Sequence, residues 1–270
     1  MPRNDRPHRE RLGTSATGIP ATGTSATDIF ATGTPARGTS ATGTSGGAEA
    51  GPASPRVEVR RHADRGRYDR ETIHAILDAG LICHLGVVVE GEPLVLPTGF
   101  GRVGDTLYLH GAAANRSLQA ALEGVCVTVT HVDGLVLARS AFGHSMNYRS
   151  VVVRGRARAV TDPAERRAAL RAVVEHAVSG RWEEARQPSA KELATTAVIA
   201  VDLAECSAKV RTGPPLDPAS DRRLPVWAGE VPLRMVAGPA LPDPDLDAAI
   251  AEAPSVARVR ARFPGFPDGG

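Results

Sequence analysis

The chain has 270 residues, with 32 Lys+Arg against 30 Asp+Glu and a net charge of +2, a balance that excludes a protein whose main task is to grip a nucleic-acid backbone. Hydrophobic residues make up 42 % and aromatics only 4 %, so one or two domains are expected, with a core of Val, Leu, Ala and Ile. No apolar run reaches the roughly 18 residues of a membrane helix, and the charged stretch Met1 to Arg11 leads into no signal-like apolar segment, so a cytoplasmic protein with no membrane partner is expected.

Residues 12–55 repeat with a period of ten: Gly-Thr-Ser-Ala-Thr begins at Gly13 and Gly23, Gly-Thr-Pro-Ala-Arg at Gly33, and Gly43-Thr44-Ser45 opens a further copy. Ile19, Ile29 and Phe30 are its large apolar side chains, too few to offset the entropy of ordering. Residues 1–55 are therefore read as a disordered tail, 56–241 as the folded domain and 242–270 as a C-terminal tail.

In the folded part, Asp69 can cap a helix whose Ile73, Ile76 and Leu77 share one face and which ends at Gly80. Leu81 to Val89 reads as a strand, Glu90-Gly91-Glu92 as a turn and Pro93 to Phe100 as the hairpin partner. Thr106 to His110 is a further strand, and Asn115 can cap a short helix carrying Leu118, Ala121 and Leu122. Val125 to Val132 is expected to pair with Leu135 to Ala138 across a tight Asp133-Gly134 turn, and Val151 to Val160 is a long strand. Asp162-Pro163-Ala164-Glu165 opens the strongest helix, with Leu170, Val173, Val174, Ala177 and Val178 on one face. Ser189 to Glu192 repeats the capping pattern. Thr195 to Leu203 and Ser207 to Arg211 are the last strands, and a weak helix is expected over Pro244 to Glu252. Short antiparallel strands with a few helices indicate a mainly β fold, a small barrel with helical additions.

Several chemistries are excluded. Cys83, Cys126 and Cys206 form neither a zinc pair nor a CxxC, and are expected as reduced thiols. The eight histidines make no HxH or HExxH spacing, so no metal site is expected. His74 and His176 read as solvated helix positions and His84 as a core histidine. No G-x-S-x-G elbow is present, which removes a serine hydrolase. Two segments stand out. Leu107 to Leu118 runs strand, small-residue loop, then a helix start with Asn115, Arg116 and Ser117. Free backbone N–H groups, the helix dipole and the Arg116 guanidinium there suit a phosphate, although the same pattern also describes an ordinary connection with a surface arginine. His144 to Gly155 leads a polar cluster into an apolar strand, and equally describes a plain polar strand entrance.

These segments carry a resemblance. Leu107-Tyr108-Leu109-His110-Gly111 with Asn115-Arg116-Ser117, then Asp133 to Ser140, then Asn147-Tyr148-Arg149-Ser150-Val151-Val152-Val153-Arg154-Gly155 resemble the pyridoxamine 5′-phosphate oxidase-like FMN-binding split barrels, on the branch of nitroimidazole-resistance and flavin-nucleotide-binding proteins. The resemblance runs from about Arg60 to Leu241. It implies a six-stranded antiparallel split β-barrel with peripheral helices and a homodimer with FMN at each of two subunit interfaces. It places the FMN phosphate at Arg116 and Ser117, where oxidases of the wider family often carry Arg-Lys. It sets Pro97, Thr98, Gly99 and Leu109 beside the flavin, Arg149 and Ser150 at its ring or side chain, and His110 at the substrate side as the candidate catalytic residue. The C-terminal Arg-x-His of true pyridoxamine phosphate oxidases is missing from Leu224 to Glu230 and from the tail beyond. The expected function is an FMN-dependent oxidoreductase moving electrons from a reduced nicotinamide or deazaflavin donor to a small molecule. A non-catalytic flavin carrier, and a haem protein using His110, His131 or His144, are the alternatives.

Overall fold

The structure, a computed structural model, describes residues 51–265; the decapeptide repeats and the tail expected through residue 50 lie outside the described residues. In chain order the elements are β1 (Gly66–Arg67), α1 (Arg70–Ala79), β2 (Ile82–Val89), β3 (Glu92–Gly99), β4 (Gly101–Val103), β5 (Thr106–Ala112), α2 (Arg116–Ala120), β6 (Val125–Leu137), β7 (Ser145–Gly155), β8 (Arg158–Ala159), α3 (Pro163–Ala177), α4 (Arg181–Glu184), α5 (Ala190–Thr195), β9 (Thr196–Asp202), β10 (Cys206–Arg211), β11 (Gly229–Pro232) and α6 (Pro254–Arg262).

The fold is mainly β and antiparallel with peripheral helices, as expected for a split barrel. Its strands form two sheets: β1-β10-β7-β6-β2-β3, with β11 added to β6, and β4-β5-β9-β8. Period-two alternation sends Cys83, Leu85 and Val87 of β2, Val125, Val127 and Val129 of β6, and Val151 and Val153 of β7 into a common core with Leu107 and Leu109 of β5. Helix α1 closes this core with Ile73, Ile76 and Leu77, and Asp69 caps it by accepting from the Thr72 N–H at 2.7 Å. A smaller cluster of Tyr108, Val160, Ala169, Val198 and Ala200 lies beneath α3.

Five local expectations are corrected. Asp133-Gly134 is no hairpin turn: β6 runs unbroken past it because β7 pairs with both halves, from Val125↔Gly155 to Val136↔Ser145, and the register shift between Val132 and Gly134 absorbs the extra residue as a bulge. The strand expected over Val151 to Val160 leaves the large sheet after Gly155, where Ala157 N–H donates to the Ala121 carbonyl at 2.9 Å and β8 joins the small sheet. His84 points outward, because its neighbours Cys83 and Leu85 take the inward positions of β2. His176 is only partly solvated: its ring lies 4.3 Å from that of Phe100 and Nε2 is 2.7 Å from the Gly80 carbonyl. The C-terminal helix is Pro254–Arg262, not Pro244 to Glu252. Asp243 and Asp247 side chains accept from Asp245 and Ala249 N–H groups at 2.9 Å, favouring local turns over a helix, whereas Pro254 opens one. This α6 is anchored where Glu184 accepts from Ser255 N–H at 2.9 Å, and Arg262 Nη2 donates to the carbonyls of Asp78 and Gly80 at 2.9 and 3.2 Å.

Candidate functional site

On β5, Leu107 and Leu109 face the main core, so Tyr108 and His110 face the other way, toward α3. Leu109 is fully buried and has only backbone to offer a ligand. His110 stands in a cleft of about 290 Å³ walled by Leu170, Val173 and Val174 of α3, Trp182 of α4 and Leu193 of α5. Desolvation in this cleft pushes the His110 pKa below the usual 6.5, so its imidazole is neutral at neutral pH and keeps a nitrogen lone pair. At the rim, Arg186 is paired with Glu192 at 2.8 and 3.0 Å; this guanidinium, with the Ser189 cap, holds the Glu192 carboxyl down to about 2. Sequence reasoning missed the walls of the cleft. The only signal was the width of the apolar stripe on α3, which is broader than one contact face needs.

The loop after β5 is tightly folded. A Cβ on Gly111 would lie 2.9 Å from Asn115 Nδ2 and 3.1 Å from Leu118 Cδ1. Asn115 caps α2, its Oδ1 accepting from the N–H groups of Ser117 (2.9 Å) and Leu118 (3.3 Å). This corrects the expectation that the helix start offers free backbone donors: two of them are committed to Asn115. Ser117 is buried. The Arg116 side chain remains available at 61 % exposure, ion-paired with Glu90 at the turn between β2 and β3.

The other expected residues lie on the large sheet. The register aligns Ser207, Val152, Thr128, His84 and Pro97 in one row across five strands. Ser150 and Gly99 sit two residues along from Val152 and Pro97, so Pro97, Gly99 and Ser150 share the outward face. Ile82, Val88 and Val95 are exposed on the same face. Thr98 alternates to the other side, its hydroxyl donating to the Gly99 carbonyl at 3.4 Å. Arg149 also faces away from Ser150, and its Nε and Nη2 both donate to Asp133 at 2.8 Å. That carboxylate raises the Arg149 pKa by hydrogen bonding and makes the arginine a clamp across the bulge of β6.

The structure thus gathers Pro97, Gly99 and Ser150 on one sheet face. It buries Leu109 and Ser117, leaves Arg116 at the tip of the β2–β3 hairpin, and sets His110 apart on the small sheet. Among the described residues no three His, Cys, Asp or Glu side chains converge as a metal site, and no helix is long and apolar enough to cross a membrane.

The sequence profile of the pyridoxamine 5′-phosphate oxidase family matches residues 69–210. Among solved structures, the chain is similar to the flavocytochrome Anf3 from Azotobacter vinelandii, with 41 % identity over 77 % of this chain and 98 % of that one and a TM-score of 0.75. It is similar to the FAD and haem binding protein from Mycobacterium smegmatis at 36 % identity, covering 73 % and 97 % of the two chains, with a TM-score of 0.69. A 5-nitroimidazole antibiotic resistance protein of Bacteroides thetaiotaomicron matches at 26 % identity, over 54 % and 86 %, with a TM-score of 0.46. A search of curated proteins found no match.

Proposed function

Since this chain belongs to the pyridoxamine 5′-phosphate oxidase family, we propose that it is a homodimeric flavoprotein, binding FMN and acting as an oxidoreductase on a small molecule other than pyridoxamine phosphate. The observation that carries this reading is the 41 % identity to a flavocytochrome across 98 % of its length. A bound flavin supplies the redox chemistry, and the chain's own residues bind and orient it. Arg116 is the phosphate ligand: it is exposed, it has a bidentate fork, and exchanging Glu90 for a phosphate keeps it paired. Pro97, Gly99 and Ser150 line the flavin's sheet face. The exposed Ile82, Val88 and Val95 beside them support a second copy packed in isologous fashion against that face.

The His110 cleft favours a second cofactor, haem. A neutral imidazole among Leu170, Val173, Trp182 and Leu193 has the donor and the apolar walls that an iron porphyrin needs. The two other candidates are less suited. His131 Nε2 is engaged with the Ile76 carbonyl at 3.0 Å, and His144 Nδ1 lies 3.0 Å from the Ser140 carbonyl. The relatives named for haem point the same way.

The test is the visible spectrum of the purified protein together with fluorescence titration. Arg116→Ala removes a charge-assisted bond worth about 1.5–3 kcal/mol and weakens FMN about ten- to a hundredfold, leaving riboflavin affinity unchanged. His110→Ala abolishes a haem Soret band while flavin remains. A folded protein that takes up neither cofactor defeats the proposal, and wild-type FMN affinity in Arg116→Ala defeats the phosphate assignment.

A further inference from the structure

The walls of the His110 cleft are not equally fixed. Leu170, Val173 and Val174 belong to α3, whereas Trp182, Arg186 and Leu193 come from the chain that follows it. The two walls join at an elbow. Helix α3 ends at Ala177, and Gly180 turns the chain into α4 at φ 82° and ψ −3°, a left-handed conformation that glycine adopts without steric cost. Glu175 of α3 steadies the turn, accepting from the N–H groups of Gly180 at 2.6 Å and Trp182 at 2.9 Å. The other polar holds of this wall on α3 are exposed. Arg167 lies 5.8 Å over the Trp182 ring and donates to Gln187 at 2.9 Å, and Arg171 pairs with Glu183 at 2.8 Å. Exposed pairs of this kind are worth little. The cleft so formed holds about 290 Å³, just under the roughly 300–1,000 Å³ of ligand pockets, so a ligand as broad as a porphyrin enters only if a wall moves.

Helix α6 lies across this elbow. Arg258 Nη1 donates to the Ser179 carbonyl at 3.2 Å, and its guanidinium fills the space that a Cβ on Gly180 would take. Glu184 of α4 accepts from Ser255 N–H at 2.9 Å. Arg262 completes the attachment at the carbonyls of His176, Asp78 and Gly80. These attachments are polar, and Ser255 is the one buried residue of α6, so little apolar area holds the helix down. With nine residues and no side-chain cap at Ala253, α6 is also too short to persist alone, because isolated helices below about 12–15 residues are marginal in water. Docked helix and released coil are therefore its two states, and the mostly exposed chain between β11 and α6 tethers it in both. A segment held in this way opens without unfolding the rest of the molecule.

We propose that α6 is a strap that governs the His110 cleft. Docked, it locks the Ser179–Gly180 elbow through Arg258 and Glu184 and keeps Trp182 in the wall. Released, it frees α4 to swing about Gly180, which breaks the Glu175 bond to Trp182 N–H and opens the cleft to a flat, largely apolar ligand. Only the identity of that ligand rests on the haem reading; the strap itself is a property of α3, α4 and α6.

The experiment uses the full-length protein and two readouts, hydrogen exchange at the Trp182 amide and the rate of hemin association. Glu184→Ala and Arg258→Ala each remove one charge-assisted bond across the strap. Each raises the open fraction, and with it Trp182 exchange, about ten- to a hundredfold, while β6 and β7 keep their protection. Hemin association speeds by a similar factor. Glu184→Gln retains an acceptor oxygen for Ser255 N–H and restores both readouts toward wild type. Arg260→Ala is the control on the same helix, because Arg260 pairs with Glu252 at 2.7 Å and does not touch the elbow; it behaves as wild type. A thermal melt checks that each variant is folded, and Arg258→Ala decides the matter if Glu184→Ala is not. Folded variants whose Trp182 amide exchanges as in wild type overturn the strap. So does faster exchange with unchanged hemin association in a protein that binds hemin. If neither wild type nor variants take up hemin, the haem reading falls instead, and Trp182 exchange still decides whether α6 locks the elbow.

Discussion

Gly101 lies directly under α3, and replacing it with alanine tests how the small sheet and the His110 cleft are held together. A Cβ at this position would sit 2.5 Å from Ala172 C and Val173 N and 2.7 Å from the Ala172 carbonyl oxygen. Carbon contacts are comfortable at about 3.5–4.0 Å, so α3 must retreat by roughly 1 Å. The obstructing atoms are helix backbone, and no rotamer change relieves them. Overpacking costs about 1–3 kcal/mol, and a backbone obstruction puts Gly101→Ala near the upper end, about 3 kcal/mol. In a domain of roughly 150–250 residues each kcal/mol moves Tm by about 2–4 °C, so calorimetry should show a fall of roughly 6–12 °C. Since α3 supplies Leu170, Val173 and Val174 to the cleft, haem uptake should fall in the same variant. Gly155→Ala is the control, because nothing lies within 4 Å of its Cβ. A Gly101→Ala protein that melts with wild type and with Gly155→Ala refutes the packing of α3 on β4.

Arg262→Ala removes donors to the Asp78 and Gly80 carbonyls, so α6 should detach. The expected loss is on the order of 1–2 kcal/mol, read as faster proteolysis of the segment after residue 253 with the sheets still protected. Burial holds His110 and His176 below the ordinary pKa of 6.5. The unfolded chain therefore binds protons that the fold refuses, and stability should fall as pH drops through about 6.5. His176→Phe keeps a tilted ring contact with Phe100 and leaves Gly80 bonded to Arg262, so it should flatten the Tm profile between about pH 7.5 and pH 5.5; an unchanged slope contradicts this assignment. Asp133→Ala frees Arg149 at the bulge of β6. After screening of this partly exposed pair the loss should be about 1 kcal/mol, with slippage between the Val132–Tyr148 and Gly134–Asn147 pairs visible by hydrogen exchange. Light scattering of the flavin-loaded protein should give a dimer, and a monomeric mass would leave Ile82, Val88 and Val95 unexplained.

Much of this protein was determined by short stretches of chain. Asp69 capping α1, Asp162-Pro163 opening α3, the Ser189–Glu192 capping box, and the β2–β3 hairpin all appear where the residues indicated. In each the deciding contacts lie within a few residues of one another. The ordered blocks around Arg116 and Ser150 likewise sufficed to place the family. Tertiary structure decided whatever depended on a distant partner. Asp133-Gly134 has the chemistry of a turn, yet pairing with β7 on both sides of the bulge keeps β6 continuous. His84 and His176 exchanged their expected environments, because strand register turned one outward while α1 and α6 closed around the other. The His110 cleft is walled by residues at least sixty positions away in the chain, and β1 reaches the large sheet only because Gly66 meets Lys209. Local propensity acts through neighbours in sequence, but a site is made by side chains that share a volume, and only the packed sheets brought these together.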